Sequence, residues 1–199
     1  MSKVALAQGA STLALPPPQT TGTVSLLQAL RARRSSREYS SRPLPPEVLS
    51  TLLWCAFGVN RPDSGGRTAP SAHNWQEIEV FVALAEGAYR YVPRRHALQP
   101  VAGADLRPAT GVQAFVGNAP LNLVYVADFA KMVDASAEDR IFYAAADAGF
   151  VAQNVYLYCA AAGLACVVRG LVDRRKLAPL LKLTVDQRIV LAQTVGFPA

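Results

Sequence analysis

The apolar residues of this chain change their period several times, and each change predicts an element. Leu26, Leu27 and Leu30 fall at helical spacing behind Ser25, which has the side chain of an N-cap. Pro43, Pro45 and Pro46 then break the chain. Pro46 and Glu47 open a second helix with Leu49, Leu52, Leu53 and Ala56 as its buried stripe, and Gly58 terminates it. Strand residues run from Ile78 to Leu84, and Gly87 leads into Tyr89–Val92 as the second arm of a hairpin. Leu121 to Ala127 is apolar on both sides, which predicts a central strand. Ala137 to Ala162 reads as one long helix capped by Ser136. Small residues fill its middle and nearly every side is apolar, so it is expected buried. Gly163 ends it. A short strand at Leu164–Val168 follows, then a helix over Arg174–Leu181 capped by Asp173 and bent by Pro179, and a last strand at Ile189–Val195.

Three stretches lack such a pattern. Residues 1–24, with Pro16-Pro17-Pro18 and a Thr/Gly run, read as a flexible lead-in. Residues 25–199 read as a single domain, without a composition shift or an internal repeat. Asn60 to Asn74 is rich in turn formers, and a loop of that length in a compact domain is usually functional or disordered. Residues 93–118 are ambiguous: Arg94, Arg95 and His96 are expected at the surface, and a helix over Ala104–Val116 is one reading of the rest.

Composition narrows the function classes. At 199 residues, 51% hydrophobic and 17% charged, the chain is a packed globular protein. Its net charge of +6 favours anionic partners, but no Lys/Arg run interleaves with aromatics, which argues against nucleic acid. No apolar run approaches the roughly 20 residues of a membrane span. Met1 to Leu15 is too weakly apolar for a signal peptide. The expectation is therefore cytoplasmic, with a periplasmic location the alternative if a native signal was removed. Cys55, Cys159 and Cys166 have neither disulfide nor zinc spacing and read as small core residues. The two histidines, His73 and His96, accompany no nucleophile elbow. No metal cluster, Walker loop or dinucleotide fingerprint occurs. Asp128, Asp134, Glu138, Asp139 and Asp147 read as caps and surface charges. No catalytic side chain and no metal ligand is assigned.

One cluster stands out. Arg33-Arg34-Ser35-Ser36-Arg37 offers three guanidinium forks and two short hydroxyls, a donor set suited to a phosphate monoester. The plainer reading is a solvated basic helix end. An anion site with an apolar, amide-rich pocket and no dedicated catalytic group fits a cofactor enzyme, whose protein mainly binds and orients.

Four motifs in order carry a resemblance: Arg33–Arg37 after a short helix; Pro70-Ser71-Ala72-His73-Asn74-Trp75-Gln76; Gly163-Leu164 with Arg169-Gly170 after the long helix; and Val195-Gly196-Phe197-Pro198. From about Leu13 onward the chain resembles the FMN-dependent nitroreductase family, and within it the SagB/ThcOx-type oxidoreductases. The resemblance implies an α+β fold, a mainly antiparallel sheet flanked by helices, in a homodimer with two FMN sites at the interface. It implies that Arg33, Arg34, Ser35 and Arg37 hold the FMN phosphate and ribityl chain. Pro70, Ser71, Ala72 and Asn74 would line the partner subunit's flavin. Val168, Arg169 and Gly170 would pass along the ring with a backbone N–H toward N5. Gln153 and Asn154 would be interface or pocket-wall residues. Many members continue past the last strand with a basic residue that also binds phosphate; here either the Arg cluster carries the phosphate alone, or Arg188 helps, or swapping between subunits occurs differently. NADH or NADPH would be the donor and a small organic molecule such as a nitroaromatic or quinone the acceptor. The alternatives are an azoline-type dehydrogenase of modified peptides and a non-catalytic flavin or anion binder.

Overall fold

The strand that is apolar on both sides lies at the middle of the molecule. The computed structural model describes residues 12–199. In chain order the elements are β1 (Leu13–Ala14), α1 (Leu26–Ala32), α2 (Pro46–Phe57), a small hairpin of β2 (Val59–Arg61) and β3 (Gly66–Arg67), β4 (Ile78–Leu84), β5 (Gly87–Val92), β6 (Ala97–Ala102), β7 (Leu121–Asp128), α3 (Ala137–Ala161), β8 (Ala165–Arg169), α4 (Arg174–Leu180) and β9 (Gln187–Gly196). The main sheet has the order β1-β6-β5-β4-β7-β9-β8, and every pairing in it is antiparallel. β7 lies between β4 and β9 and is covered on both faces, so its alternate residues enter two different cores. Leu121, Leu123 and Tyr125 pack under α2 and α3, while Val124 and Val126 pack with Leu177 of α4 and Leu181 just beyond it. The fold is α+β, as the resemblance implies.

Local chemistry sets the helix ends. The Ser25 hydroxyl accepts from the Gln28 N–H while the Gln28 side chain accepts from the Ser25 N–H, a full capping box. Ser136 and Asp173 accept from the Asp139 and Lys176 amides at the starts of α3 and α4. Gly163 ends α3 at φ 67°, the left-handed stop that favours glycine. Gly58 ends α2 for another reason. Its φ is −70°, but a Cβ there would come within 2.5 Å of the Trp54 ring.

Four expectations are corrected. Residues 1–11 lie outside the described residues, but the rest of the stretch read as a flexible lead-in is held. Leu13 and Ala14 pair with Leu98 and Ala97, Ser50 donates to the Pro16 carbonyl, and the Gln19 amide donates to Thr51. The loop from Asn60 to Asn74 contains the β2–β3 hairpin and a 3₁₀ turn at Ala72–Asn74. Ala104–Val116 is not a helix: Pro108 and Gly111 break it into 3₁₀ turns at Arg107–Thr110 and Ala114–Gly117. His96 is half-buried and tied to its neighbours, not free at the surface. Its Nε2 lies 2.7 Å from the Ser50 hydroxyl and its Nδ1 2.8 Å from the Tyr91 hydroxyl, and burial lowers its pKa. Because Ser50 gives its proton to Pro16, the ring donates from Nε2 and accepts from Tyr91 at Nδ1, the arrangement of a neutral imidazole. Among the described residues no helix is long and apolar enough to cross a membrane.

Candidate functional site

The Arg/Ser cluster leaves α1 at its C-cap and crosses the C-terminal half of α3. Three contacts fix its path. The Ser36 N–H donates to the Cys166 carbonyl at 2.9 Å, which ties the segment to β8. Tyr156 of α3 accepts from the Val168 N–H at 2.8 Å, so its own proton points to the Ser35 hydroxyl 2.9 Å away. The Arg33 guanidinium lies 5.3 Å from the centre of the Tyr156 ring, within cation–π range.

These contacts wall a cavity of about 480 Å³ lined by Arg33, Arg34, Ser36, Tyr156, Leu164 and Cys166, among others. None of Arg33, Arg34 and Arg37 pairs with a carboxylate among the described residues. The floor is apolar and one wall carries positive charge without a counter-ion. That combination suits an anionic ligand with an apolar body. Arg37 is exposed and lies outside the lining. Burial holds the Cys159 thiol well above its ordinary pKa, which makes it a poor nucleophile, and the Cys166 sulfur accepts from Gln193 Nε2 at 2.9 Å.

Val168, Arg169 and Gly170 lie at and just past the end of β8, and Val168 is linked to the cluster through Tyr156. The Arg169 side chain points the other way, into the protein. It is 4% exposed, with Nε donating to Thr194 (2.9 Å), Nη1 to the Thr110 carbonyl (2.8 Å) and Nη2 to Asn122 (3.1 Å). Burial lowers its pKa to about 10, which leaves it charged at neutral pH. Only its backbone remains for a ligand. Arg188 is distant from the cluster. It opens β9 beside Ala127, whereas the cluster meets the other end of the sheet, where Cys166 pairs with Val195. Its guanidinium donates to the Val185 and Gln187 carbonyls, so Arg188 does not assist the cluster.

The second predicted group, Pro70, Ser71, Ala72 and Asn74, does not meet the first within this chain. The Ala72 N–H donates to Asp147 of α3 at 2.8 Å, and Ser35 meets α3 at Tyr156. At 1.5 Å per residue these two positions are about 14 Å apart along the helix. His73 and Trp75 stack at 4.4 Å, and both meet Tyr143 edge-on. Of the two α3 residues assigned to an interface or wall, Asn154 donates to the Cys55 carbonyl of α2 and Gln153 is exposed. Asp147, read as a surface charge, is buried at 2% exposure, and Glu77, which the sequence reading did not single out, is fully buried. The available signal was position: Asp147 shares the helical face of Ala144, Ala148 and Val151.

The fold and the cavity define a class: an antiparallel α+β protein with an arginine-walled pocket beside its longest helix. A profile of the nitroreductase family matches residues 30–197, and the chain belongs to that family, a family of oxidoreductases. It is 32% identical over 170 residues to a nitroreductase-like protein of Methanocaldococcus jannaschii, covering 80% of this chain and 85% of that one. A crystal structure of a nitroreductase-like protein from Ralstonia eutropha superposes with a TM-score of 0.90 at 48% identity, covering 94% of this chain and 90% of that one. A chain of the Escherichia coli microcin synthetase McbBCD complex superposes with a TM-score of 0.73 at 22% identity, covering 94% and 78%. At that identity the likeness is one of fold alone.

Proposed function

We propose that this protein is an FMN-dependent oxidoreductase that works as a homodimer, with Arg33, Arg34, Ser35 and Arg37 as its phosphate-binding segment. The observation that carries the proposal is the set of unpaired guanidiniums on the wall of the apolar cavity beside Leu164–Cys166. Residues and group fit each other: the forks and hydroxyls match a phosphate monoester, and the apolar floor matches the less polar part of the ligand. When bound, FMN would accept a hydride from NADH or NADPH and pass it to a small organic acceptor such as a nitroaromatic or quinone. The protein's part is binding and orientation. Arg33 and Arg34 would neutralise the phosphate, Tyr156 fixes the Ser35 hydroxyl beside them, and the backbone of Val168–Gly170 would be left to contact the ring.

The dimer is supported by what one chain leaves uncovered. Leu26, Leu27 and Leu30 of α1 and Ile141, Phe142 and Phe150 of α3 are exposed, on two helices that pack together. Ala145 and Gly149 continue the α3 stripe, and nothing lies within 4 Å of a Cβ placed at Gly149. An apolar surface spread over two helices favours a partner. A second copy would also bring a Pro70–Asn74 loop to a site that lacks one.

Two measurements test this reading. The protein is expected to purify yellow, or to take up added FMN, and to release FMN and not FAD on denaturation. A colourless protein that takes up no FMN overturns it. Light scattering over a dilution series is expected to show a dimer whose dissociation releases the flavin, and a monomer that keeps its FMN overturns the shared site.

A further inference from the structure

The two buried carboxylates behind the 71–76 loop have no part in the function proposed above. Glu77 is fully buried and Asp147 is 2% exposed. Glu77 Oε2 accepts from the Ser71 hydroxyl at 3.0 Å and Asp147 Oδ2 accepts from the N–H of the next residue, Ala72, at 2.8 Å, so the two carboxylates converge on adjacent residues of one loop. Glu77 Oε1 has no hydrogen-bond partner among the described residues. Two ionised carboxylates cannot share a dry site with one orphaned oxygen. One proton between them removes the repulsion and supplies the missing hydrogen bond.

The loop they hold needs holding. His73, Asn74 and Gln76 have φ values of 50°, 56° and 50°, left-handed conformations uncommon for non-glycine residues, and three of them within four positions need support from outside the loop. The constraint comes from both ends: Asp147 on the Ala72 amide, and Glu77 on the Ser71 hydroxyl, which in turn accepts from the Gln76 N–H at 2.8 Å.

We propose that Glu77 and Asp147 share one proton and act as a positioning pair for the 71–76 loop, so that loss of the proton releases the loop. The consequence for a flavin rests on the reading above, since this loop would cover the partner subunit's cofactor; the positioning itself does not. Burial, the larger cause, together with the facing Asp147 pushes the Glu77 carboxyl up to about 7, which puts the release near neutrality. The surrounding groups do not supply a rescuing charge. From α3 the facing group is Asp147, and from the loop it is the Ser71 hydroxyl. Arg67 on the β2–β3 hairpin donates to Gln76 at 2.8 Å and contacts neither carboxylate. His73, the loop's own titratable ring, packs on Trp75 and Tyr143.

The sign follows from linkage. A carboxyl whose pKa is raised by folding stabilises the folded loop below its unfolded value, and that contribution fades as pH rises toward its folded value.

The test uses the whole chain between about pH 5 and about pH 9, followed by Trp75 emission (Trp75→Phe supplies the blank for Trp54) and by hydrogen exchange at the Ala72 and Gln76 amides. Wild type is expected to show an emission transition near neutrality, with loop exchange rising above it beyond the intrinsic base-catalysed increase. Glu77→Gln, whose amide mimics the protonated acid, is expected to abolish both changes. Asp147→Asn is expected to do the same, and serves if the first variant does not fold. His73→Gln is expected to leave both intact. Bound FMN, added as probe, is expected to weaken about tenfold per pH unit above the transition in wild type but not in Glu77→Gln. A wild type without a transition, a transition that survives in both carboxylate variants, or one lost in His73→Gln overturns the proposal. Failure to bind FMN with the emission transition intact overturns only the flavin reading.

Discussion

Arg33 and Arg169 are the same side chain in opposite situations. Arg169 is enclosed by neutral oxygens from Thr110, Asn122 and Thr194, three segments far apart in the chain. Arg33 leans on the Tyr156 ring at the rim of a cavity, paired with no carboxylate among the described residues. The first guanidinium is fully used by the fold, and its value is to join β7, β9 and the turn ending at Thr110. The second is left unsatisfied by the fold, which is what a ligand-binding group looks like before the ligand arrives. In the sequence both are arginines beside small residues. What separates them is whether the protein supplies their acceptors.

The largest effect expected from this contrast belongs to Arg169. Arg169→Met keeps most of the volume but leaves the Thr110 carbonyl without its donor and removes one hydrogen bond each from Asn122 and Thr194. Hydrogen bonds to charged groups and stranded buried acceptors together give a loss of about 3 kcal/mol or more. Urea unfolding monitored by circular dichroism should show the midpoint fall with an unchanged slope. Equal stability in wild type and variant would show the network to be dispensable.

Next comes Arg33→Ala, which should behave in the opposite way. Unfolding should be nearly unchanged, because no protein acceptor is stranded, while FMN binding should weaken roughly tenfold to a hundredfold, the equivalent of about 1.5–3 kcal/mol for a charged hydrogen bond. Arg37→Ala should cost less than Arg33→Ala, since Arg37 lies outside the lining of the cavity. Flavin fluorescence titrations rank the two. If Arg37 proves the more costly, the phosphate sits outside the cavity.

How much of this was legible beforehand depends on the range of the interaction that decides it. The capping box at Ser25, the stop at Gly163 and the run of strand residues in β4 are local, and the chain shows them directly. β6 was missed because Pro100 interrupts its pattern. The strand forms regardless, since the register shifts where Tyr89 faces Pro100 and Ala88 faces Ala102, and an irregularity of that kind tolerates a proline. The lead-in was misread because its anchors, Ser50 and Thr51, are more than thirty residues away. At the site, the Arg/Ser cluster was legible as a donor set, and its lack of acidic partners needed the fold. Glu77 and Asp147 illustrate the reverse. Nothing nearby in the sequence marks them as a pair, and they meet because β4 starts beneath α3.

The smallest effect, and the one that probes the link between the two arginine environments, concerns Tyr156. Its hydroxyl accepts from the Val168 amide, one residue before Arg169, and donates to Ser35, two residues after Arg33. Tyr156→Phe keeps the ring under Arg33 and removes only the hydroxyl. The Val168 N–H then loses its acceptor, and Ser35 is free to turn. A loss of about 1–2 kcal/mol in stability is expected from the unsatisfied amide. A loss of FMN affinity smaller than that of Arg33→Ala should accompany it, because the cation–π contact survives while only the orientation of Ser35 is relaxed. The two losses are separable: unfolding reads the amide, and flavin titration reads Ser35. If Tyr156→Phe loses stability but binds FMN as wild type does, the hydroxyl serves β8 alone and the Arg/Ser segment is positioned by the Ser36–Cys166 bond.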